Sequence, residues 1–67
     1  MEGKVKWFDQ TKGYGFIETH GGNEVFMHRT AIDDDYLDKL REGSPVEFEI
    51  HEGDRGPEAA SVKLSDR

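Results

Sequence analysis

The sequence contains no cysteine. That excludes a disulfide framework and a thiolate metal site, the devices that most often staple a domain this short. It fits a reducing, cytoplasmic setting. No apolar run approaches the roughly 20 residues of a membrane span, so no membrane partner is expected. The first residues, MEGKVKWF, turn polar within two positions, which is not the pattern of a signal peptide. Positive charge is also scarce: 9 basic residues face 15 acidic ones, for a net charge of -6. The chain is therefore not built to hold nucleic acid mainly by neutralising phosphates. Nor is there a nucleophile–base pair or a phosphate loop in a plausible setting, which argues against an enzyme. His20, His28 and His51 are irregularly spaced and lack thiolate company, which argues against a metal site. No cofactor is expected.

What is present fits one small domain spanning residues 1–67, with a modest core. Charge is unevenly spread. Residues 1–32 hold four basic groups (Lys4, Lys6, Lys12, Arg29) and four acids (Glu2, Asp9, Glu18, Glu24). Residues 33–67 hold five basic and eleven acidic groups, a net of -6. The aromatics divide the same way. Trp7, Phe8, Tyr14, Phe16 and Phe26 lie in the balanced half, and only Tyr36 and Phe48 lie in the acidic half. An acid excess is most often a solvated surface.

Apolar residues recur with a period of two nearly throughout, which predicts strands. The expected strands are Lys4–Phe8, Tyr14–Thr19, Glu24–His28, Val46–His51 and Ala59–Leu64. Val46, Phe48 and Ile50 are expected on one face of the fourth strand, and Ala60, Val62 and Leu64 on one face of the fifth. Turn chemistry separates the strands at residues 9–13, 20–23 and 53–57. Between Thr30 and Gly43 the pattern changes. Asp33 or Asp34 is a candidate N-cap, Tyr36, Leu37 and Leu40 recur at helical spacing, and Gly43 suits the C′ position. One or two helical turns are expected there, capping the open end of the sheet. Residues 65–67 are expected to fray. Five short strands, tight turns and one long connection suggest a small closed barrel of antiparallel strands.

Parity decides which side the aromatics occupy. Tyr14 and Phe16 point one way, Gly15 and Ile17 the other. Phe26 and His28 share one face of the third strand, Val25 and Met27 the opposite one. Placing Ile17, Val25 and Met27 inside fills the barrel with compact residues and leaves Tyr14, Phe16, Phe26 and His28 outside. An exposed aromatic patch of this kind marks a binding surface. For Trp7, strict alternation gives an inward position beside Val5. A bulge near Trp7 and Phe8 would turn Trp7 outward and Phe8 inward. Periodicity leaves both open. Lys4, Lys6 and Lys12 are the cations nearest the rings in sequence. Rings flanked by lysines suit single-stranded nucleic acid, because every base has a π-face and a few cations track the backbone.

Taken in order, GKVKWF (Gly3–Phe8), KGYGFI (Lys12–Ile17), VFMH (Val25–His28) and GDRGPEAASV (Gly53–Val62) resemble the cold-shock domain family nearly end to end. KGYGFI looks like its RNP1 motif and VFMH like its RNP2 motif. The resemblance implies a five-stranded OB-fold barrel that binds single-stranded RNA and DNA, with mild preference for pyrimidine-rich stretches. It implies an RNA chaperone that melts weak secondary structure, and a monomer. By matching position, Lys6, Trp7, Lys12, Tyr14, Phe16, Phe26, His28 and Arg55 would carry binding, with Trp7 turned outward.

The chain departs from the family pattern at three places. Arg29 follows the RNP2 histidine where the family often has an aromatic; an arginine plane still stacks on a base. Leu37 stands about where the family often has a stacking aromatic. There Tyr36 would substitute, or the third acid of Asp33–Asp35 would repel the strand. Asp9 is acidic beside the patch. Fewer stacking subsites are expected at that end. The competing function is a protein-interaction barrel whose aromatics grip a proline-rich peptide; the flanking lysines favour nucleic acid. An RNA-recognition fold shares the motif names but places RNP2 before RNP1, opposite to the order here.

Overall fold

Period-two alternation, interrupted at two defined points, builds the molecule. The computed structural model describes residues 1–65. Its strands are β1 (Glu2–Asp9), β2 (Tyr14–Thr19), β3 (Glu24–His28), β4 (Pro45–Gly53) and β5 (Gly56–Leu64). They close into a barrel in the order β1-β2-β3-β5-β4, the five-stranded OB-fold arrangement. All pairings are antiparallel except β3 with β5, which run parallel and share the single pair Phe26↔Glu58. Closure removes the exposed edges that make small sheets prone to association.

In β2 and β3 the interior is the one parity predicts, with Ile17, Val25 and Met27 inside. Val5, Ile17, Val25, Met27, Val46 and Val62 are almost wholly buried, with Ile32, Leu40, Phe48 and Ala59 completing the core. Branched residues dominate, as a narrow barrel requires.

Two bulges reset the alternation. In β1 the register slips between Val5↔Ile17 and Trp7↔Phe16, leaving Lys6 as the extra residue. Trp7 is thereby turned outward, 37% exposed, while Phe8 packs against the core. The bulge presses the β1 backbone onto β2, where a β-carbon on Gly15 would collide with the Trp7 carbonyl oxygen. In β5 the register slips between Glu47↔Lys63 and Glu49↔Ala60, where Ser61 sits at φ 54. The inward positions are consequently Ala59 and Val62, with Leu64 packed against the core. Of the expected face Ala60, Val62 and Leu64, only Ala60 is displaced, its place taken by Ala59.

Ile50 also departs from alternation, being 39% exposed. β1 pairs with β4 only through Pro45, Val46 and Glu47. Beyond Phe48, β4 pairs with β5 alone among the described residues, so no second strand shields Ile50. The pair runs on to Gly53↔Gly56, and the loop expected over residues 53–57 shrinks to a tight turn at Asp54-Arg55 with Gly56 at φ 97.

The β3–β4 connection holds one helical turn, but earlier than the spacing predicts. It is a 3₁₀ turn at Arg29–Ala31. Residues 33–40 form successive turns closed by i→i+3 hydrogen bonds. Tyr36 N–H donates to Asp33 O at 2.8 Å and Lys39 N–H to Tyr36 O at 2.9 Å. Asp33 does act as a local cap, its Oδ1 accepting from Asp35 N–H at 3.0 Å. A segment this short, opening on three aspartates, cannot repay helix nucleation. Its apolar side still faces the barrel: Leu40 is buried, and Tyr36 and Leu37 pack on the core. Asp33 N–H donates to Val62 O at 3.0 Å, tying the connection to β5. Ser65, expected to fray, is held by its N–H to Pro45 O at 3.0 Å; residues 66–67 lie outside the described residues.

Candidate nucleic-acid interface

Register explains why the outward rings meet. Trp7 of β1 lies opposite Phe16 of β2, and Phe16 lies opposite Phe26 of β3. One step along the strands, Asp9, Tyr14 and His28 form a second row. Cross-strand neighbours on one face stand within reach of each other's side chains. Four rings therefore close a ring of contacts. Trp7 meets Tyr14 at 5.7 Å and Phe16 at 5.5 Å between centroids. Phe26 meets Tyr14 at 6.0 Å and Phe16 at 5.8 Å. Most of these contacts are tilted or edge-on, with Tyr14 and Phe26 near parallel at 29°. The rings support one another and hold a fixed relief on the surface.

Cations surround this patch at different ranges. The Arg55 guanidinium, from the β4–β5 turn, lies 5.0 Å over the Phe26 ring, which is a cation–π distance. Lys6, projected by the β1 bulge, is held by Glu24 of β3 through a short ion pair between exposed side chains. The hydrogen bond to Glu24, then its charge, raise the Lys6 pKa above the ordinary lysine value, so Lys6 stays cationic across physiological pH. Lys12 lies in the β1–β2 turn with its side chain exposed. That turn explains Asp9: its Oδ1 accepts from Lys12 N–H at 3.0 Å and its carbonyl from Gly13 N–H at 2.7 Å. The acid that departs from the family pattern builds the loop.

His28 is exposed at the end of the second row and caps the 3₁₀ turn. Its Nδ1 accepts from Thr30 N–H at 3.2 Å and meets Thr30 Oγ1 at 2.9 Å. With Nδ1 accepting from the turn, Nε2 is the ring nitrogen left to face outward. Arg29 turns past the end of this row. Its N–H donates to Gly13 O at 2.8 Å, and its stem lies on the bare α-carbon of Gly13, Cδ only 2.8 Å from where a β-carbon would be. Arg29 lines a small cavity of about 180 Å³ together with Phe8, Gln10, Leu37 and Asp38. Tyr36 is not brought to the four rings. It packs on the core, with the Lys39 ammonium 6.0 Å from its ring.

Of the residues singled out from the sequence, Trp7, Tyr14, Phe16, Phe26, His28 and Arg55 thus converge. Lys6 and Lys12 stand at the edge, Arg29 lies beyond one end, and Tyr36 stands apart. Glu24 escaped the sequence reading, although its parity with Phe26 and His28 places it on the outer face. Glu58, opposite Phe26, had no local signal, because a parallel closure cannot be read from strand spacing. Among the described residues no group of histidine, aspartate and glutamate is placed to hold a metal ion, and no helix is long and apolar enough to cross a membrane.

The family model of the 'Cold-shock' DNA-binding domain matches residues 1–65. The chain is 58% identical over 62 residues to cold shock protein CspD of Bacillus subtilis, covering 92% of this chain and 94% of that protein. It is 56% identical over 64 residues to a cold shock-like protein of Thermotoga maritima, covering 96% and 97%. It is 58% identical over 62 residues to cold shock protein CspB of Geobacillus stearothermophilus. Members of this family bind single-stranded nucleic acid and are not enzymes. On fold, motif order and these similarities, the chain belongs to the cold-shock domain family.

Proposed function

We propose that this protein binds single-stranded RNA and DNA with low sequence specificity, by stacking bases on Trp7, Tyr14, Phe16 and Phe26. The observation that carries the reading is the closed set of four outward rings on three adjacent strands. His28 stacks on a base or donates to it from Nε2. Lys6, Lys12 and Arg55 supply the positive charge that follows the backbone, and Arg29 meets the strand beyond one end of the rings. Tyr36, apart from the rings, contributes least. Stacking is worth about 1–3 kcal/mol per base, so a protein of net charge -6 binds without a broad basic surface. Pyrimidine-rich segments are the preferred ligands. The biological role is that of a monomeric, cytoplasmic RNA chaperone. Binding to unpaired bases draws weak hairpins toward the open form and keeps mRNA translatable.

Titration of Trp7 fluorescence tests this directly. Oligothymidine should quench it saturably and a proline-rich peptide should not. Quenching by the peptide alone would assign the rings to protein recognition instead.

A further inference from the structure

The cavity beyond the second row is the least expected feature of the interface. Phe8 and Leu37 provide its apolar walls, while Gln10, Arg29 and Asp38 provide its polar ones. The two charged groups share this space without pairing: among the described residues neither Arg29 nor Asp38 belongs to an ion pair. Both keep open hydrogen-bonding edges. Arg29 is pre-positioned, its amide bound to Gly13 O and its stem resting on Gly13. The backbone at Asp38 is also held, since its carbonyl accepts from Arg41 Nη1 at 3.4 Å. Its lining residues Gln10 and Arg29 directly follow Asp9 and His28, the two ends of the second row, which puts the cavity at that end of the proposed platform.

A carboxylate with two free oxygens is matched by two adjacent N–H donors. Among the bases only guanine offers that pair, at N1 and N2, with the O6 acceptor beside it for a guanidinium. Thymine and uracil would turn carbonyls toward the carboxylate, and adenine lacks the acceptor at that place. Cytosine offers a single amino group. We infer that this cavity is a guanine-selective subsite at one end of the platform, with Asp38 accepting from N1–H and N2–H and Arg29 donating to O6. Phe8 and Leu37 flank the ring. The inference rests on the single-strand binding proposed above. It gives the Arg29 and Leu37 departures a purpose: they exchange a stacking position for an edge-reading one.

The experiment walks one guanine through every position of a short oligothymidine and follows Trp7 quenching. One terminal register should bind at least about fivefold more tightly than oligothymidine, the lower end of what a bidentate base contact discriminates. Replacing that guanine by inosine, which lacks the N2 amino group, should remove most of the gain. In Asp38→Asn the ratio of guanine-containing to all-thymidine affinity should fall to about one. Asp35→Asn makes the same charge change outside the cavity and should keep the ratio. No binding of oligothymidine at all would overturn the underlying function. Binding without guanine preference, equal preference for cytosine, or equal affinity for inosine would each overturn the subsite alone.

Discussion

The barrel has two dissimilar outer faces. β1, β2 and β3 carry four contacting rings, and with the turns that join and follow them (residues 1–32) their formal charge is balanced. The β4–β5 ribbon carries Glu47, Glu49, Glu52 and Asp54, and its longest apolar side chain in water is Ile50. Both faces cover the same core, so packing does not require the difference. On the first face apolar area is left exposed where it can contact a ligand. On the second, under the proposed function, the acid excess would repel phosphate and keep a strand from lying on the wrong side. The contrast separates attraction, which is local and made of rings, from exclusion, which is diffuse and made of charge.

The comparison breaks most severely if the inside is damaged. Ile17→Ala, at a fully buried position, should cost about 2–5 kcal/mol in denaturant unfolding and leave little folded protein to bind anything. Phe16→Ala and Phe26→Ala should behave differently. Each should lose about 1–3 kcal/mol of oligonucleotide affinity while unfolding stays cooperative. Loss of cooperative unfolding in either variant would show that the platform is core. Freeing Lys6 from its partner sharpens the contrast further. Glu24→Gln should strengthen binding by no more than about fivefold, mostly at low salt, in a fluorescence titration. The smallest effect belongs to the ribbon. Glu52→Gln should change affinity by less than about twofold at physiological ionic strength, where charges beyond about 8 Å are screened. Across all variants the salt dependence should stay modest, and a slope implying six or more ion contacts would contradict stacking as the main source of affinity.

Most of the platform was legible in the sequence because parity is a hard geometric rule. Once Ile17, Val25 and Met27 are inside, Tyr14, Phe16, Phe26 and His28 have only one place to go. Trp7 was not legible from periodicity, because one extra residue, Lys6, reverses everything after it. The same holds in β5, where Ser61 puts Ala59 rather than Ala60 on the inner face with Val62 and Leu64. Ile50 failed for another reason: its neighbour on the β1 side ends before reaching it, and strand pattern carries no record of where a neighbour stops. The 3₁₀ turn was displaced because helical spacing over so few residues competes with i→i+3 turns of similar cost. The cavity lined by Arg29 and Asp38 joins residues from three separate segments, which no local pattern connects.

Phe26 belongs to two systems at once. It is one of the four rings, and it also supplies β3's side of the one ladder pair with β5, Phe26↔Glu58. Arg55, at the tip of the ribbon, reaches back over the same ring. The place where a base would lie is therefore also the latch of the barrel. Under the proposed function, a nucleic-acid strand resting there would bridge the two sides of the strand joint with the fewest ladder pairs among the described residues. For a domain with so small an interior, a ligand bound as proposed would be a structural member as well as a cargo, and occupancy should raise the stability of the folded barrel.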